Sequence, residues 1–391
     1  MERILLWLLA AGALIGGIDC LLGNRLGLGE RFEEGFRLLG PTALSMAGIL
    51  CLSPLIVRVL SLTLSPLWQR IGLDPGMLGG FISIDMGGYQ AAVDLASDPT
   101  IGLYAGILIS ATTGCTLAFT IPMGMGLLSP EDTNAFSRGI LIGLIPMPAA
   151  QILGGLAGGM QFLPLLKESI PILLFSAALM LCLHFAPQKS LKVFGGFAKF
   201  LRALSLIGLT LGAVQYIGNI KLLPSLMPLE EAMQVVASIG IVMLGSLPAA
   251  ELLRRGLSRP FSALGRKLHM DDRSFAALLV GFVSATPAIS MIKGMDLRGK
   301  VMNAAFLVCG ASALASHLGF TVTVERSMLL PLLLTKLVGG LLGALLALLL
   351  TGCGSSSYDS SASNKAAQTM AASDMMTEEA ADEAASEGVY E

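Results

Sequence analysis

The sequence predicts an all-α polytopic membrane protein, with about nine to eleven transmembrane segments in two inverted repeats, each holding a broken or re-entrant helix. Three observations point there. The 391 residues are 54% hydrophobic and 13% charged, against about 25% charged in a soluble domain. Apolar stretches of spanning length recur along the chain. Two further stretches are apolar but interrupted by Gly, Pro or charge, which suits a hairpin or discontinuous helix better than a clean span.

A window of about 19 residues places spans near 4–22, 38–57, 100–124, 138–163, 168–186, 203–222, 232–250, 301–320 and 328–351. The first apolar run continues to Leu22, which is long enough to span, so it reads as a helix rather than a cleaved leader. The interrupted stretches lie near 76–97 and 275–297. Residues 352–391 are rich in Ser, Ala, Glu and Asp without apolar periodicity, and read as a disordered acidic tail.

The interrupted stretches sit in matching places. Pro54 and Pro66 precede the first; Pro248 and Pro260, 194 residues on, precede the second. Asp74 and Asp271 follow, then the interrupted stretch, then two spans. Residues 1–163 are therefore the first repeat and 203–351 the second, joined by a helix and basic linker over 164–202. The runs 187–202 (Lys189, Lys192, Lys199, Arg202) and 254–273 (Arg254, Arg255, Arg259, Arg266, Lys267, Arg273) are the most basic. They are placed on the cytoplasmic side. Counting spans back from there puts the 58–74 linker outside, so equivalent elements enter from opposite faces.

A formal net charge of −2 argues against a nucleic-acid partner. The six cysteines are scattered with no CxxC or Cys/His cluster, so neither a disulfide framework nor a metal site is indicated, and no cofactor is expected. The lipid bilayer is the expected environment, and a homo-oligomer is compatible with it. The Leu350-Thr-Gly-Cys353 sequence has the look of a lipoprotein box but falls at the cytoplasmic end of the last span, so it reads as a helix end.

Phe81-Ile-Ser-Ile-Asp85-Met-Gly87-Gly88-Tyr89 puts a carboxylate, a glycine pair and a tyrosine at membrane depth. An ionisable group there costs roughly 2.5–3.5 kcal/mol on insertion scales, so it faces a cavity or a partner. Asp85 is a substrate or ion contact, with a helix cap at the hairpin tip as the plainer role. Gly87 and Gly88 would let the backbone break, and Tyr89 would offer a ring face or a hydroxyl to a cation; Tyr104 is a second aromatic candidate. In the second repeat, Ser284 and Thr286 before Pro287 supply hydroxyls beside a helix break. Asn303 opens the next span, and Asp296 is expected to pair with Lys293 or Arg298. His317 is either a proton-sensitive group or a hydrogen-bonded helix-end histidine. Glu34, beside Glu33 at the start of the second span, is a transport candidate or a helix-end acid. Asp19, near the end of the first span, reads as a satisfied end residue.

These segments resemble the ethanolamine-utilisation permease family, EutH. The resemblance rests on Phe32-Glu-Glu-Gly-Phe36, Ala43-Leu-Ser-Met46, Asp85-Met-Gly-Gly88, Ile121-Pro122, Ile292-Lys293, Met295-Asp296, Arg298-Gly-Lys-Val301, Asn303 and His317-Leu-Gly-Phe320. They run in family order from about residue 30 to 345. Departures from the pattern are Ser316, where an acid is expected, and Ser284 and Thr286, where asparagines are expected.

The resemblance implies a bacterial inner-membrane protein, not an enzyme, that brings ethanolamine into the cell, above all at acidic pH where the amine is almost wholly protonated. Ethanolammonium would need a carboxylate, an aromatic face and a hydroxyl or amide partner. Asp85 and Tyr89, with Ser284 or Thr286, could supply these, and a facilitated-diffusion mechanism would suffice. The alternatives are a Na⁺- or H⁺-coupled transporter of another small cationic or zwitterionic amine, or a non-transporting membrane sensor. An intramembrane aspartyl protease would need a second facing aspartate, which the 275–297 stretch offers only as Asp296.

Overall fold

A computed structural model describes residues 2–81, 85–223, 225–267 and 270–351, with Asp85 described by its backbone alone. Among the described residues every regular element is helical. The first half runs α1 (Glu2–Leu21), α2 (Gly29–Arg37), α3 (Leu39–Thr63), α4 (Ser65–Arg70), α5 (Gly76–Phe81), a 3-10 turn Asp85–Gly88 and α6 (Tyr89–Leu95). A long core helix follows, made of α7 (Pro99–Leu103), π-wound segments Tyr104–Gly114 and Thr116–Thr120, and α8 (Ile121–Leu127). Next come α9 (Pro130–Leu144) and α10 (Met147–Ala157). Then α11 (Phe162–Phe185) precedes α12 (Pro187–Gly218), α13 (Leu229–Lys267), α14 (Asp272–Val283), α15 (Ala285–Met291) and a 3-10 turn Ile292–Gly294. The second core helix is α16 (Leu297–Gly310), a π-wound Ala313–His317 and α17 (Leu318–Val324), and α18 (Leu329–Leu350) closes the series.

Among the described residues eight helices are long and apolar enough to cross a membrane, and α9 with α10, bent by 43°, makes a ninth. Pro146 lies in that bend, where its missing N–H and its ring disrupt the helical ladder. The nine windows read from hydropathy fall on these nine spans. The basic stretches read as linkers are largely helical: Lys189 to Arg202 lie in α12, and Arg254 to Lys267 in α13. Arg254 and Arg255 both reach back to the buried Glu251, at 2.7 and 2.8 Å.

The two interrupted stretches are helical hairpins whose ends are tied together. In the first, the Asp74 carboxylate accepts from the Gly76 N–H at 2.7 Å, where the hairpin begins. It also accepts from the Ser97 and Asp98 N–H groups at 3.0 Å, where it ends. Out and back from one anchor is the geometry of a re-entrant hairpin. In the second, the Asp296 carboxylate caps α16 through the Gly299 N–H and also accepts from the Ser274 hydroxyl near the start of α14, both at 3.2 Å. Asp296 thus serves as a cap. Lys300, one turn on, pairs with Asp132 of α9 at 2.7 Å.

Outer helices far apart in the sequence pack on one another, α1 on α13 and α3 on α12. Gly12 of α1 lies against the Gly245 carbonyl of α13, and Gly48 of α3 against the Ser205 carbonyl of α12. A Cβ at either glycine would collide with backbone, so these small residues let the helices close, as membrane helices without a hydrophobic drive between them require. Met86 of the first hairpin shares a buried apolar cluster with Met243 and Phe320, and Ala288 and Ile292 of the second share another with Ile121 and Phe136. At the centre lie the two π-distorted helices. In their apolar stretches 89% of residues are buried, against 17–56% in the other six spans. Residues 2–347 form one compact unit.

Candidate functional site

The break of the first hairpin is buried at Met86, Gly87 and Gly88. The 3-10 turn hands over to α6 at Tyr89, whose half-buried ring meets Phe320 of α17 edge to face, 5.5 Å apart and at 81°. Gly106 of the first core helix makes room for this ring: a Cβ there would lie 3.0 Å from Tyr89 Cδ2. An aromatic pair of this geometry is worth about 0.5–1.5 kcal/mol beyond its buried area. The Asp85 side chain lies outside the described residues. Tyr104, the second aromatic candidate, is fully buried and within 3.3 Å of the Ser169 hydroxyl of α11.

The break of the second hairpin is Ser284, in extended backbone (φ −148°, ψ 129°) between α14 and α15. It rests on the break in the second core helix. There Ser312 adopts the left-handed conformation (φ 55°, ψ 26°), which a non-glycine residue takes up only when its surroundings hold it. Its N–H donates to the Gly281 carbonyl at 3.0 Å and its hydroxyl accepts from the Ala285 N–H at 3.2 Å. Thr286 follows, half-buried, its carbonyl accepting from the Ser290 hydroxyl. His317 is wholly buried, with Nδ1 3.1 Å from the Ala311 oxygen. Tyr89 is thus gathered to Phe320, and Ser284 to Ser312. His317 stands between these groups along the second core helix.

Two candidates stand apart. Asn303 is buried near the anchored end of the second hairpin, where Nδ2 donates to the Ser274 and Gly299 carbonyls at 2.9 Å. Glu34 is 40% exposed on α2 and paired with Arg31 at 2.6 Å. Asp19 accepts from the Leu26, Leu28 and Gly29 N–H groups at 2.8 to 2.9 Å, tying α1 to the start of α2.

Sequence reasoning passed over two polar residues at the centre. Lys336 of α18 is fully buried, and its ammonium donates to the carbonyls of Ala111, Cys309 and Ala311. Gln151 of α10, also fully buried, donates to the hydroxyls of Thr112 and Thr113 at 2.7 and 2.9 Å. A charge this far inside an apolar span was itself the available signal, but the leucine run around Lys336 reads as an ordinary span. Among the described residues no group of His, Cys, Asp and Glu is arranged to hold a metal ion.

Residues 1–350 match the model of a family described as "Ethanolamine utilisation protein, EutH". The chain is similar to the "Probable ethanolamine permease EutH" of Listeria monocytogenes serotype 1/2a (strain 10403S), at 34% identity over 86% of this chain and 90% of that protein. It is 36% identical to "Uncharacterized protein YxeR" of Bacillus subtilis (strain 168), over 84% and 90% of the two chains. To the "Probable ethanolamine permease EutH" of Escherichia coli (strain K12) it is 34% identical over 79% and 82%. No solved structure matches. With bacterial relatives of this kind and its series of apolar spans, the chain is a multi-pass protein of the bacterial cell membrane, and it belongs to the EutH family.

Proposed function

We propose that this chain carries ethanolamine, as the ethanolammonium cation, into the cell by facilitated diffusion, and that it catalyses no covalent step. The observation that carries the reading is the meeting of Tyr89, at the break of one hairpin, with Phe320 of the opposite half. A site at the junction of two halves is open to each side in turn when the halves rock against one another. The names of the Listeria and Escherichia relatives supply the substrate.

Ethanolammonium brings one charge and one hydroxyl. Asp85, at the break of the first hairpin, is the residue proposed to neutralise the charge, because a desolvated cation without a counter-charge is prohibitively costly. Gly87 and Gly88 let the backbone approach, and Tyr89 offers its ring face. Ser284 and Thr286 are the proposed hydroxyl partners, with His317 beside them. Glu34 and Asn303 remain candidates to be tested by substitution. An inside-negative potential favours entry of a monovalent cation by about 2.3 kcal/mol per 100 mV, so accumulation needs no coupled ion.

The reading is tested by complementation. Bacteria lacking their own ethanolamine permease and expressing this chain are expected to grow at acidic pH with ethanolamine as sole nitrogen source. Growth no better than with an empty vector would count against it.

A further inference from the structure

The Lys336 ammonium lies 2.7 Å from the Ala111 oxygen, 2.7 Å from the Ala311 oxygen and 3.2 Å from the Cys309 oxygen. An ammonium has three donors and no acceptor, so three carbonyls match it one for one. These carbonyls come from both halves. Ala111 lies in the π-wound stretch of the first core helix, while Cys309 and Ala311 stand at the broken end of α16. The last carbonyls of a helix have no partner within it, and the helix dipole makes that end electronegative. Broken helices in transporters use such ends to coordinate cations. Here the cation is one of the protein's own.

A second observation lies beside the cradle. The Gln151 amide is anchored on Thr112 and Thr113, the two residues after Ala111, yet its Oε1 is buried and accepts no hydrogen bond. A fully buried amide oxygen without a donor is an anomaly that a ligand hydroxyl would resolve.

We propose that the cradle of Ala111, Cys309 and Ala311, filled here by Lys336, is a binding site for a primary ammonium ion with a neighbouring hydroxyl, and that Lys336 withdraws when the ligand enters. The inference rests on the permease reading and names a second station for its substrate, distinct from Asp85. The ammonium end of the lysine, with its last two carbons, has the same N–C–C frame as an ethanolammonium ion. Two cations cannot share three carbonyls, so occupancy by lysine and by ligand is mutually exclusive. A quaternary ammonium has no N–H to donate and is refused. The Gln151 oxygen takes the ligand hydroxyl.

The test uses purified full-length protein and Lys336→Met, which keeps an unbranched apolar side chain out to the ε position and removes the ammonium. Ethanolammonium and ethylammonium should each raise the Tm of the variant at concentrations at least tenfold lower than wild type requires, while choline has no such effect. Adding Gln151→Leu should abolish the preference for ethanolammonium over ethylammonium. Equal responses in variant and wild type, or an equal effect of choline, would overturn the proposal. If Lys336→Met does not fold, Lys336→Arg retains the cation in a bulkier planar fork. It should keep the wild-type Tm and bind ethanolammonium at least tenfold more weakly, and unchanged binding would overturn the proposal. Wild-type ethanolamine uptake serves as the control. Uptake without these responses removes the cradle alone, and responses without uptake remove the permease reading.

Discussion

Tyr89 and Phe320 stand edge to face, 5.5 Å apart, and join the break of the first hairpin to the second core helix. Tyr89→Phe keeps the ring pair and should leave ethanolamine uptake within about threefold of wild type. Tyr89→Ala removes the pair and any ring face for a cation, together about 1–2 kcal/mol, and should cut uptake about tenfold or more. Initial uptake rates of the two variants at matched expression check the contrast.

Asp85 is the proposed counter-charge. Asp85→Asn should abolish uptake while the protein still reaches the membrane in wild-type amounts, because the amide keeps the shape and loses the charge. Uptake at the wild-type rate would remove Asp85 from the site.

Asp74 holds both ends of the first hairpin through the Gly76, Ser97 and Asp98 N–H groups. Asp74→Ala leaves these donors without that acceptor and should cost about 1–3 kcal/mol per donor that stays buried and unmet. A lowered Tm in detergent is the expected result. An unchanged Tm would mean that the hairpin ends are held by other contacts.

Glu34 pairs with Arg31 on a half-exposed face, where such a bridge is worth about 0–1 kcal/mol. Glu34→Gln should therefore leave the Tm essentially unchanged and uptake within about twofold of wild type. A larger loss of uptake at unchanged Tm would bring Glu34 into the transport path.

The spans and the two interrupted stretches were legible because hydropathy and helix-breaking residues are local properties. Gly87-Gly88 and Ser284 mark their breaks in any reading. The π-winding of Tyr104–Thr120 was not legible. Its Thr, Ala, Gly and Ile residues read as smooth helix, and the widened turns depend on partners such as the Val308 carbonyl, which takes the Thr116 hydroxyl at 2.8 Å from the other half. Lys336 was hidden for the same reason, since its three carbonyls come from residues 25 to 225 positions away. The packing of α1 on α13 and of α3 on α12 rests on single glycines, Gly12 and Gly48, whose partners no local pattern names. Recurrence of Pro54 and Pro66 as Pro248 and Pro260 was legible. Both pairs precede a hairpin tied at its ends by an aspartate, Asp74 in the first and Asp296 in the second.

The central claim, a carrier for the ethanolammonium cation, is tested most directly by radiolabelled ethanolamine uptake into proteoliposomes of the purified protein. The assay runs at acidic pH, with and without an inside-negative potential. Saturable uptake that the potential accelerates, with no sodium added, is the predicted result. Uptake no greater than that of empty liposomes under either condition would contradict it.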